Sequence, residues 1–169
     1  MTNQLSFIRK HQAVLRNSIL ILVMVLITFA LLTLQGLVHF KAPDFSKVKA
    51  AVTAHFDEAT MSPADEVSLR KNFGFNARDL DDFIYYAPKS AMDASEILIL
   101  KVKNEGALAT YRAVLESKRT TKIDTFKNYR PQQAEILEKS ELKTQGNYLI
   151  FISSEKLAEI KDAVELSFR

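Results

Sequence analysis

Cysteine is missing from the chain altogether. Its absence excludes a disulfide framework, a thiol nucleophile, a thiolate zinc site and the lipid attachment that a lipobox cysteine would carry. Acidic residues are missing from the first 43 positions, where Arg9, Lys10 and Arg16 precede a long apolar run. Those three cations account for the formal net charge of +3, so the rest of the chain is formally neutral. The basicity belongs to a short tail, and a nucleic-acid-binding reading loses its support. Chemistry-bearing spacings are scarce too: there is no GxSxG elbow and no EF-hand pattern. What is present is an ordinary globular balance, 47% hydrophobic and 25% charged over 169 residues. That length allows one domain plus extras.

From Ile19 to Val38 no residue is charged, and only Thr28, Thr33 and Gln35 are clearly polar. Twenty residues at about 1.5 Å each would span roughly 30 Å, the thickness of a bilayer's hydrocarbon core. The spacing shows no polar stripe and no GxxxG dimerisation face. The expectation is one transmembrane helix over 18–40, in contact with the lipid bilayer. A cleaved signal peptide is the weaker alternative, because the run is long and no small-x-small site follows it. Arg9, Lys10 and Arg16 on the near flank then predict a cytoplasmic tail over 1–17 and an extracytoplasmic carboxyl domain.

Beyond Pro43, helical spacing of Val48, Ala51, Val52, His55 and Phe56 predicts an amphipathic juxtamembrane helix and linker over 41–60. The α+β domain is expected over 61–169. Ser62-Pro63-Ala64-Asp65 reads as a helix start with Ser62 as cap, and Gly74 as its stop. Phe83–Tyr86 and Glu96–Val102 read as strands, the second apolar on both sides at first. Asn104 can cap a long helix with Leu108, Tyr111, Leu115, Lys122 and Phe126 down one side. A further helical turn follows Pro131. A short polar strand around Leu142 leads through Gly146-Asn147 into the strand Tyr148–Ile152. Ser153 or Ser154 then caps a last helix with Leu157, Ile160, Val164 and Phe168 as its stripe. The expected fold is a four-stranded, mainly antiparallel sheet, ββαββα, with helices on one face.

Several ordered segments carry a family resemblance. They are Leu69-Arg70-Lys71-Asn72-Phe73-Gly74, then Tyr85 with Ser90-Ala91-Met92-Asp93-Ala94-Ser95-Glu96-Ile97-Leu98. Phe126-Lys127-Asn128-Tyr129-Arg130-Pro131-Gln132-Gln133 and Gly146-Asn147-Tyr148 complete the set. From about Phe45 to Phe168 the chain resembles an uncharacterised family of Firmicutes envelope proteins, a domain of unknown function. Many of its members are lipoproteins. The resemblance implies extracytoplasmic placement and implies no activity.

Candidate chemistry is thin. His11, His39 and His55 cannot be assembled into a metal site or a nucleophile–base pair. Asp79, Asp81 and Asp82 match no calcium loop and read as turn or edge residues, so no metal and no cofactor are expected. Asp93 and Glu96 form a candidate polar site in the hairpin. Glu96 stands at the mouth of the most apolar strand as a lone acid or a structural hydrogen-bonding group. Arg112, Lys118, Arg119, Lys122, Lys127 and Arg130 face only two acids between positions 112 and 130. They are read as a basic face suited to an anionic wall polymer or lipid headgroup. The functional expectation is a non-enzymatic domain that binds a protein partner or an anionic envelope component. An envelope-acting hydrolase or transferase using Glu96 or the Asp79–Asp82 group, and a structural subunit of a membrane complex, are its rivals.

Overall fold

A computed structural model of the protein describes residues 17–29 and 44–168. Residues 17–29 form a helix, α1, whose thirteen residues extend about 20 Å. Among the described residues no helix is long and apolar enough to cross a membrane. This overturns the expected single-pass span from Ile19 to Val38 and the membrane localisation built on it. A bilayer core needs roughly twenty helical residues, and the thirteen described residues of α1 are too few. Val38, like His11 and His39, lies outside the described residues.

The chain divides into two compact units, Met1–Phe40 and Lys41–Arg169. The second runs through α2 (Phe45–His55), β1 (Met61–Pro63), α3 (Glu66–Phe73), β2 (Leu80–Pro88) and β3 (Glu96–Val102). It continues through α4 (Leu108–Lys127), α5 (Pro131–Glu138), β4 (Glu141–Gln145), β5 (Tyr148–Ser153) and α6 (Leu157–Ser167). The strands form one antiparallel sheet in the order β1-β2-β3-β5-β4.

Two features of the expected fold are corrected. The sheet has five strands rather than four, and helices cover both of its faces rather than one. The extra strand is β1, where Met61 pairs with Pro88 and Pro63 with Tyr86. Pro63 is tolerated because an edge strand need not donate from every residue. Ser62 therefore lies in a strand and caps nothing. The helix start belongs to Asp65, whose side chain accepts from the Ser68 N–H. Likewise α6 is entered through Lys156, and neither Ser153 nor Ser154 is its cap residue.

Two-sided cover follows from the central strands. Every residue of β5 is buried, and so is all of β3 except Lys101. Side chains alternate, so each of these strands presents an apolar set to both faces. On one face Leu98, Leu100, Leu149 and Phe151 meet Leu69, Phe73, Leu115, Phe126 and Leu137 from α3, α4 and α5. On the other, Ile97, Ile99, Ile150 and Ile152 meet Phe45, Val48 and Val52 of α2 and Ile160 and Val164 of α6. Full burial of such a side chain is worth about 1.5–3 kcal/mol. An uncovered face would forfeit that several times over, which decides the three-layer arrangement. Ion pairs Lys143–Glu165 at 3.3 Å and Lys161–Glu141 at 3.2 Å add a polar margin between β4 and α6.

Candidate functional site

The site grows from the α3–α4 face of the sheet. Helix α3 begins at the Asp65 cap, buries Leu69 and Phe73, and ends at Gly74, whose φ of 75° is the left-handed conformation glycine adopts freely. This short helix carries Asn72 to the sheet. In β2, alternation puts Tyr85 on the same face as Phe73, and their rings meet edge-on with centroids 5.4 Å apart. The loop before β3 is turned by Ser90, whose hydroxyl accepts from the Met92 N–H. It is pinned to α5 where the Ala94 N–H donates to Gln133 Oε1 at 2.6 Å. Glu96 then opens β3, on the face shared with Leu98 and Leu100.

These groups form one chain of hydrogen bonds. Asn72 Nδ2 donates to the Tyr85 hydroxyl at 2.7 Å, and that hydroxyl donates to Glu96 Oε1 at 2.8 Å. Glu96 is buried, 9% exposed, and is the one buried acid among the described residues. Loss of hydration pushes its carboxyl above the ordinary glutamate value of 4.5, against the opposing pull of Lys122, the Tyr85 hydrogen bond and Lys118. Burial likewise raises Tyr85, helped by the Glu96 charge, and lowers Lys122, opposed by Glu96 and Asp93. Both members of the Glu96–Lys122 pair thus respond to desolvation more than to each other. Across the ladder from Glu96, Ser153 has a buried hydroxyl with no hydrogen-bond partner among the described residues.

A cleft of about 620 Å³ opens here, with Tyr85 and Glu96 on the sheet side and Asn72, Lys118, Lys122 and Phe126 among its helical lining. Volume alone does not single it out. A larger space of about 770 Å³ is lined by α4 residues only and is an open helix flank. The α3–α4 cleft is distinguished by convergent polar groups around a buried acid. Two ammonium groups flank it. Lys118 Nζ lies 5.9 Å from the Phe73 ring centroid and Lys122 Nζ 5.7 Å from that of Phe126. Neither lysine forms a direct ion pair with Glu96, although both act on it electrostatically.

The six expected basic residues separate into two groups. Lys118, Arg119 and Lys122 line the cleft. Arg119 is already committed, donating to the Leu137 and Glu138 carbonyls at 3.1 and 3.0 Å. Arg112 pairs with Glu116 at 2.9 Å and reaches the Leu142 carbonyl. Lys127 stands 3.8 Å from Asp124 and 3.6 Å from Glu138, and Arg130 is the residue from which α5 starts. Of the hairpin pair, Glu96 lies in the cleft, while Asp93 sits half-buried in the adjoining loop and acts on Lys122. Among the described residues no group of three or more His, Cys, Asp or Glu is gathered where it could hold a metal ion. Sequence reasoning missed Asn72 and Tyr85 as partners of Glu96. The available signal was strand phase, since Tyr85 and Glu96 share a face once the β2–β3 hairpin is in register.

Fold and site together define a small α+β domain with one polar-floored, aromatic-walled cleft. Residues 54–154 match the family described as Domain of unknown function (DUF4358), and the chain belongs to it. No curated protein and no solved structure matches the chain.

Proposed function

We propose that this is a non-enzymatic binding domain whose α3–α4 cleft takes a small amphipathic ligand carrying an anionic group. The observation that carries the reading is the convergence of Glu96, Lys118 and Lys122 on one aromatic-walled cleft. The two lysines sit one helical turn apart on α4, so a single anion can meet both. Donor-only ammonium groups without an acceptor of their own favour an oxyanion. Phe73, Leu115, Phe126 and Phe151 offer the ligand's body an apolar wall. An extended polymer or protein partner lying along the whole basic face is less favoured, because Arg112, Arg119 and Lys127 already have partners within the fold.

Anilinonaphthalene sulfonate, an aromatic anion, tests this directly. Its fluorescence should rise and saturate on adding the full-length chain. The double variant Lys118→Glu, Lys122→Glu should weaken binding at least about tenfold, a 1.4 kcal/mol effect, with unchanged circular dichroism. Arg112→Glu should not. Equal binding by wild type and the double variant refutes the proposal.

A further inference from the structure

We infer that the occupant of this cleft is a small zwitterion with an apolar side chain, an amino acid or short peptide, whose ammonium meets Glu96 and whose carboxylate meets Lys118 and Lys122. The inference rests on the binding reading above and narrows it to one ligand chemistry.

Hydrogen-bond polarity supplies the first step. An amide nitrogen can only donate, so Asn72 Nδ2 occupies the Tyr85 oxygen as acceptor and directs the tyrosine proton to Glu96 Oε1. The reverse orientation of Asn72 would leave one hydroxyl proton to serve two acceptors. Oε1 is therefore filled, and Oε2 receives no donor from the described residues. Glu96 lines the cleft, so a ligand ammonium there can donate to this second carboxylate oxygen.

The lysines supply the second step. Each ammonium rests over an aromatic ring, and neither is given a hydrogen-bond acceptor by the described residues. They stand near enough to Glu96 to act on it but form no ion pair with it. The gap between opposite charges is thus open to a molecule carrying both signs. A simple anion would satisfy the lysines while excluding water from Glu96 and adding a like charge beside it. A simple amine would satisfy Glu96 and leave two confined cations. A zwitterion answers both without changing the cleft's total charge. The aromatic and aliphatic wall selects an apolar side chain, and about 620 Å³ accommodates anything from a single amino acid to a short peptide.

The test is a calorimetric titration of the full-length chain with phenylalanine, leucine and the dipeptide phenylalanyl-leucine. N-acetylphenylalanine and phenethylamine serve as one-charge controls. At least one zwitterion should bind about tenfold more tightly than either control. Glu96→Gln should erase the roughly tenfold advantage over N-acetylphenylalanine, weakening the zwitterions and relieving that control of a like charge. N-acetylphenylalanine binding as tightly as the zwitterions overturns this inference and leaves an anion-binding cleft standing. Bound anilinonaphthalene sulfonate with no binding by any zwitterion also overturns it. Loss of sulfonate binding as well removes the parent reading. The wild-type comparison among ligands holds even if Glu96→Gln folds poorly.

Discussion

Glu96 is in tension with its surroundings, and the tension has a sign. Its carboxyl is raised above the ordinary 4.5 by burial, so between that value and its folded value the native state holds a proton that the unfolded chain has released. Stability contributed by this group is therefore complete below 4.5 and falls as pH rises through the raised value. The charged and titratable groups that face it are Tyr85 from β2 and Lys118 and Lys122 from α4, with Asp93 acting on Lys122 from the loop. Lys122 is displaced the other way: burial lowers it below 10.5, so its cost grows as pH falls from 10.5 to its folded value. Glu96→Gln removes the carboxyl but keeps an oxygen for the Tyr85 hydroxyl. In urea melts the stability of wild type relative to this variant should decline as pH is raised from 4.5, then level off. A difference that grows in favour of wild type over the same range would contradict the buried-acid account.

At the scale of elements, the basic stretch on α4 combines joinery with recognition. Arg119 fastens α4 to the carboxyl end of α5 through two carbonyl hydrogen bonds, where a helix terminus carries partial negative charge. Arg119→Ala should cost about 1–3 kcal/mol in chemical denaturation. Lys127→Ala, whose contacts are long and more than half exposed, should change stability by no more than about 0.5 kcal/mol. Comparable losses in the two variants would show that Arg119 is no more structural than a surface lysine. Charge counting along the sequence could not separate these roles, because which carbonyls a helix face meets is decided by α5, a tertiary partner. The apolar side of α4 was legible. Leu108, Leu115 and Phe126 are buried there, and Lys122 lies among them as its helical phase requires. The β3 strand and the Gly146-Asn147 hairpin were legible for the same reason, since a period of two and a tight-turn glycine are local signals. Strand β1 was not. Its three residues gain their identity from Ala87 and Pro88, some 25 positions away, while Ser62-Pro63 mimics a helix start.

At the scale of the whole molecule, the two-faced sheet decides what can fold. Its second face is sealed by α2 and α6, and most of α2 and all of α6 lie outside the matched segment 54–154. The clue was present in the sequence: Ile97–Leu100 and Leu149–Ile152 are continuous apolar runs, and such runs need cover on both sides. Val48 and Val52 were in hand for that purpose, but their position next to an apolar run made them look like a link. Among the described residues, both cores draw on residues from Phe45 onward. A chain of residues 41–169 should therefore keep a cooperative thermal transition and the far-ultraviolet spectrum of a mixed α/β domain. A chain of residues 54–154 would expose Ile97, Ile99, Tyr148, Ile150 and Ile152 together, forfeiting several contributions of about 1.5–3 kcal/mol each against a total stability of roughly 5–15 kcal/mol. It should aggregate or lack a cooperative melt. Cooperative folding of the shorter chain would mean that the second core is dispensable and that the α3–α5 side alone carries the domain.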